Sequence, residues 1–460
     1  MFGLFGSARG KKRNGARGAA HRRARLGVEA LECRCTPTVY LWNPTGENDW
    51  SIVDNWYNQT LGRQNNVLQN PTDQAPGWGD TAKFEGTVVG QSQNTVCNVD
   101  TTPDVANFTV DFGYTSTIQL KVPAGTALVA LTVTGTLTFD GGEGATIKGG
   151  TDNLNDIPYL TVSGGLNWTG GAFDTLDVSA LPGTTNYISS GSTKSLTKTL
   201  LSNGGTMTWF SGSVATANNV STSLYTTGTF EMQSAGSWGT AGDGGAFVAS
   251  GTLRKTTAAT SKILVDFVNQ GQFLIQDGTA ELDGSARQGS LTNPGMGGQL
   301  TQLNGGFLKL GNTGNGAYNL YQGVLNGSGT IYGSLYNYGG DVQVQDAAGT
   351  PSTITVTQAY KQTDGSGHIG TLEIYIDSGG NGSLLSIGGA AKLAGTLKVH
   401  NTPYTGTANW TFMTYASVDG DFDPLLLSYD AANWNNGGQV YHFVPHRDAT
   451  RYWLEPVSGG

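Results

Sequence analysis

Cysteine, charge and long apolar runs are all scarce in this chain. Of 460 residues, three are cysteine (Cys33, Cys35, Cys97) and five are histidine. An odd cysteine count, with two members inside a basic stretch, argues against a disulfide framework. Three thiols without suitably spaced histidines do not make a tetrahedral zinc centre. No metal and no cofactor are therefore expected. Runs of ~18 apolar residues do not occur, so no membrane-spanning segment is expected. Charged residues make up 13% of the chain, against about a quarter in ordinary domains. Catalytic punctuation is missing too. There is no Gly-x-Ser-x-Gly elbow between a buried strand and a helix, and no glycine-rich loop followed by Gly-Lys-Ser/Thr.

Glycine is abundant, at 70 residues. It lacks collagen's triplet period and is interleaved with aromatic and β-branched residues, which favours folded repeats over a disordered chain. The repeat is a glycine, any residue, an apolar residue, any residue, an apolar residue. Its fullest form is Gly271-Gln272-Phe273-Leu274-Ile275. Further copies open at Gly135, Gly164, Gly205, Gly228, Gly306, Gly340, Gly370 and Gly395, with partial ones at Gly251 and Gly329. The starts are separated by 29, 41, 23, 23, 20, 35, 23, 11, 30 and 25 residues. Period-2 alternation predicts strands with one apolar face. Each glycine is expected where the chain turns into a strand, a place that often needs positive φ and gains from having no Cβ. A recurrence near 23 residues lies in the range of solenoid coils. The expected fold is all-β: a β-solenoid, a right-handed parallel β-helix of about thirteen coils and roughly 60 Å on a ~4.8 Å rise. The expected divisions are a basic targeting or processing segment over 1–37, a Trp-rich cap over 38–100, the helix body over 101–400 and an aromatic-rich cap over 401–460.

The residues between the paired apolar positions are Thr138, Asn167, Thr208, Glu231, Leu274, Lys309, Gln343, Glu373 and Lys398. This row is expected to face outward. Acid–base cleavage of a glycosidic bond needs two carboxyl groups about 5 to 10 Å apart, and no two adjacent copies present an acid. Asp277, Glu281 and Asp283 form a possible ion or acid cluster, against which stands the role of Asp and Gly in ordinary turns. Asp419-Gly420-Asp421-Phe422-Asp423 alternates like a calcium loop, but Pro424 and Asp430 stand where glycine and glutamate belong. His442 and His446 are expected on a strand or loop, where they are ~13 Å apart, too far to share a metal.

The two ends of the chain differ in charge. Residues 1–35 carry a net charge of +7, leaving −16 for the remainder, so the body is not expected to bind nucleic acid. Arg25-Leu26-Gly27-Val28-Glu29-Ala30-Leu31-Glu32-Cys33-Arg34-Cys35-Thr36-Pro37 resembles the arginine-rich head of large planctomycete surface or secreted proteins. Trp42, Asp49-Trp50, Asn55-Trp56 and Gly77-Trp78-Gly79-Asp80, followed by Phe84, resemble the opening module of autotransporter-like β-helix proteins. The stretch from Leu325-Asn326-Gly327-Ser328-Gly329 through Leu385-Ser386-Ile387 to Gly395-Thr396-Leu397-Lys398-Val399 is similar to the last coils of autotransporter passenger-like proteins. This resemblance implies a pectin-lyase-like helix on a cell surface or secreted, commonly adhesive or structural, with no catalytic residues to carry over. Autotransporters end in a membrane β-barrel, which does not follow here, so self-export is not expected.

Two roles are open for the tryptophans. Large flat side chains close the open first coil of a solenoid, and they also stack sugars. The candidate ligand-binding residues are Trp50, Trp56 and Trp78, and the sugar-binding role requires Trp50 or Trp78 to be exposed. The expected function is that of a non-enzymatic extracellular or cell-surface scaffold or adhesin, in contact with polysaccharide or surface proteins. The alternative is a polysaccharide lyase or glycoside hydrolase on the same scaffold.

Overall fold

Short alternating segments joined by glycine turns bury one face each and pair along both edges. In the computed structural model they form a parallel β-helix. The structure describes residues 37–459, apart from 67, 89–90, 122–129, 151–156, 190–193, 218–221, 291–297, 364–366 and 403. The basic segment expected over 1–37 thus lies, except for Pro37, outside the described residues.

Coils contribute up to three strands each, and successive coils pair in parallel to build three ladders, named here the A, B and C faces. In one coil the A strand is Gln272–Ile275, the B strand Thr279–Leu282 and the C strand Ala286–Gln288. The C face is a sheet of 14 strands, from Asp104–Val105 to Ser417–Gly420. At ~4.8 Å per coil the body is roughly 65 Å long. The paired apolar positions point inward as the alternation requires: Leu137, Phe139, Trp168, Met207, Trp209, Phe230, Phe273 and Ile275 are all 0% exposed. Each such side chain contributes about 1.5–3 kcal/mol of burial.

The glycines that open the A strands stack in a column at the corner between the C and A faces. A Cβ on Gly228 would overlap the carbonyl oxygen of Gly205, one on Gly251 that of Gly228, and one on Gly271 that of Gly251. None of these four has positive φ. Lack of space for a Cβ, not a left-handed backbone, is what requires glycine here. Buried amides lock the same corner. Asn269 accepts from the Gly271 N–H (3.1 Å) and donates to the Leu300 carbonyl of the next coil (2.9 Å). Asn337 does the same with Gly340 (3.0 Å) and Thr371 (2.9 Å).

Two copies of the repeat lie elsewhere. Gly306 and Gly329 lead into B-face segments, Phe307 to Leu310 opposite Thr279 to Leu282, and Thr330 to Ile331 opposite Thr355 to Val356. In these coils the chain passes from A to B within one long strand, Leu300–Leu310 and Val324–Tyr332. The 11-residue interval between Gly329 and Gly340 is therefore a step from B to A, not a short coil.

The ladders run past both expected boundaries. Val39–Trp42 already pairs in parallel with Thr81–Phe84, and Leu427–Tyr429 still pairs with Thr396–His400. Closure is antiparallel at each end: Trp56–Asn58 lies on Val39–Trp42, and Arg451–Ser458 on Trp410–Thr414. No helix among the described residues is long and apolar enough to cross a membrane.

Candidate functional site

The N-terminal tryptophans separate. Trp50 and Trp56 are 1% and 0% exposed, and their rings meet at 4.7 Å in a cluster with Trp42, Phe84 and Phe108. The Trp56 indole donates to the Trp50 carbonyl at 2.9 Å. Both close the first coil and present no ring to a ligand, because the antiparallel turn folds them inward. Trp78, 83% exposed, is the one candidate of the three left on the surface.

Asp277, Glu281 and Asp283 each have partners of their own. Asp277 accepts from the Gly278 N–H (2.7 Å) and Asp283 from the Asn312 N–H (2.7 Å), both turn contacts. Glu281, on the B face, is nearly buried between Lys262 (3.3 Å) and Lys309 (3.2 Å) of the coils on either side. No group of three or more potential metal-binding side chains occurs among the described residues. In the Asp419–Asp423 stretch, Asp421 receives the Tyr452 hydroxyl (2.8 Å) and Asp423 the Leu425 N–H (2.9 Å). His442 and His446 lie on the strand Gln439–Arg447.

Two groupings on the A face escape the sequence reading. The first surrounds Glu373. Its carboxylate receives Lys398 (2.8 Å), His400 Nε2 (3.1 Å), the Tyr375 hydroxyl (3.2 Å) and Gln343 (3.3 Å). His400 Nδ1 faces Asp430 at 3.0 Å, and its ring stacks on Tyr375 with centroids 4.4 Å apart. Burial alone would raise the Glu373 carboxyl, but hydrogen bonds from His400 and Lys398 prevail and bring it down to about 2. The hydrogen bond to Glu373, and behind it Asp430, raises His400 against the opposing effect of burial. A carboxylate held so strongly ionised is a weak base at neutral pH and holds no proton to give as an acid. The sequence signal was present in the register of Glu373 with Lys398 and of Tyr375 with His400. The row of outward residues considered alone omits the second pair.

The second grouping is a step in the same face. Thr138, Asn167 and Tyr187 share one outward row on successive coils. Tyr187 and Phe210 are 38% and 45% exposed and stack with centroids 5.6 Å apart. Beside them the smaller Thr138, Asn167, Thr169 and Ser189, with Asp140, line an open recess of about 550 Å³. The Thr169 hydroxyl donates to Asp140 at 2.7 Å. Exposed rings next to hydroxyls and amides suit a ligand that is apolar on one side and rich in hydroxyls on its edge.

Comparison with known proteins found no family model, no curated protein and no solved structure that matches this chain.

Proposed function

We propose that the chain is a non-enzymatic extracellular or cell-surface β-helix, a structural or adhesin-like scaffold whose lateral faces contact polysaccharide or other surface proteins. The observation that carries this reading is the A-face step, where Tyr187 and Phe210 stand exposed beside Thr138, Asn167 and Thr169. A pyranose ring packs its apolar side on an aromatic ring while its hydroxyls exchange hydrogen bonds with such neighbours. The surface location and the autotransporter-like, planctomycete-type origin belong to the same proposal and are supported by the resemblances of the chain ends.

A glycan array probed with the full chain tests it, with reducing ends and unsaturated uronates followed on every glycan that binds. Binding without new ends supports the scaffold, and Tyr187→Ala with Phe210→Ala is expected to weaken it about tenfold. Turnover overturns it. The second reading, a polysaccharide lyase or glycoside hydrolase, draws on the Glu373, His400 and Asp430 grouping. It requires release of new ends that His400→Gln abolishes.

A further inference from the structure

Outward-facing cations on the A and B faces meet carboxylates, while the buried Lys255 donates to Thr257. Lys148 lies 3.2 Å from Asp174, Lys262 and Lys309 flank Glu281, and Lys398 holds Glu373. The outward row of the C face is built differently. In register, coil by coil, it runs Val268, Arg287, Asn319, Tyr336, Lys361, Lys392. Among the described residues, Arg287, Lys361 and Lys392 form no ion pair. Asp419 stands opposite Lys392 in the next coil without closing one. Asp266, in the neighbouring outward row, accepts the Ser285 N–H at 2.9 Å. Lys361 Nζ sits 4.5 Å from the centre of the Tyr336 ring, and Tyr336 leans on Tyr338 at 5.8 Å.

We propose that this row on the C face is a binding site for an acidic linear polysaccharide, its carboxylate or sulfate groups on Arg287, Lys361 and Lys392 and a sugar ring against Tyr336. The inference rests on the glycan-binding reading above and adds a second face and a ligand class. Charge complementarity carries it, since unpaired cations persist on one face of a body whose net charge is −16. Their spacing chooses the polymer. Arg287 and Lys361 are three coils apart, ~14 Å at 4.8 Å per coil, whereas duplex DNA presents a charge every ~1.7 Å. Lys361 and Lys392 are one coil apart, ~4.8 Å, so the three cations suit a chain with one charge per sugar ring lying along the helix axis.

The test compares the full chain with the triple variant Arg287→Gln/Lys361→Gln/Lys392→Gln, using polygalacturonate, neutral dextran and the neutral glycans found on the array, and duplex DNA. The basic head is common to both proteins and cancels in the comparison. Affinity for polygalacturonate is expected to fall about tenfold, the size for three exposed ionic contacts, with neutral-glycan binding and melting temperature unchanged. It is also expected to weaken with added salt in the parent chain. Tyr336→Leu, which keeps every charge, is expected to weaken binding without altering that salt dependence. Unchanged affinity in the triple variant overturns the site. DNA bound as tightly as polygalacturonate, and lost with the same substitutions, overturns the ligand class. Neutral glycans bound without polygalacturonate sink this inference alone. If no glycan is bound by any form, the scaffold's glycan-binding reading falls with it.

Discussion

Glu281 and Arg287 belong to one coil and meet opposite surroundings. Glu281 on the B face is nearly buried by a lysine from each neighbouring coil, while Arg287 on the C face is exposed between Val268 and Asn319. The backbone repeat is the same, so the difference lies in which side chains the register brings together. On a parallel ladder each outward residue meets the same row one coil up and one coil down. Opposite signs close into ion pairs around Glu281 and Glu373, whereas the C-face row, in which Asp419 does not close on Lys392, leaves its cations to solvent. Charges on the first kind of face hold coils together; those on the second are left for something outside the molecule.

Breaking the register that both faces share has the largest expected effect. Gly251→Val places side-chain atoms on the carbonyl oxygens of Gly228 and Thr227 and is expected to cost ~3 kcal/mol or more in denaturant unfolding. A loss under ~1 kcal/mol would mean the glycine column is not close-packed. Next comes Glu281→Gln, which leaves Lys262 and Lys309 facing each other across a neutral amide and is expected to cost about 2–4 kcal/mol.

Glu373→Gln is expected to cost about 2 kcal/mol near neutral pH, and its pH dependence is the sharper readout. The Glu373 contribution is fully present above the ordinary carboxyl value of 4.5 and is lost as pH falls toward about 2. That of His400 is fully present below 6.5 and is lost as pH rises through its raised value in the folded state. The stability gap between parent and variant is therefore widest at about pH 5 to 6 and narrows on both sides. A gap independent of pH would remove Glu373 and His400 from the stabilising network. Smallest of all is Arg287→Gln, expected to change stability by ~0.5 kcal/mol or less. A loss comparable to that of Glu281→Gln would erase the contrast between the faces.

The fold was largely legible because alternation and glycine spacing are local. Leu372 and Ile374 face inward and Glu373 outward, as the pattern of Gly370-Thr371-Leu372-Glu373-Ile374 requires. The site was less legible. The repeat placed Lys309 after Leu274, but the strand Leu300–Leu310 turns a corner at Gly305 and Gly306. Gln302 is thereby set against Leu274, and Lys309 against Glu281. A shift of face of this kind is invisible to a pattern that both faces share. The tryptophans show a related limit: Trp56 lies on a strand that folds back onto Val39–Trp42 and is buried, whereas Trp78 lies in a turn and is exposed.

By itself the sequence determined the strand period, the inward apolar rows, the stacking glycines and the low charge, because each follows from neighbours a few residues apart. Only the tertiary structure decided that Glu281 is clamped, that Glu373 is bound to His400 and Lys398, that Tyr187 and Phe210 form a step, and that Arg287, Lys361 and Lys392 share an unpaired row. These are contacts between coils some 20 to 35 residues apart in the chain. Their register is set by the corners of the helix, where the length of each turn determines which side chains meet.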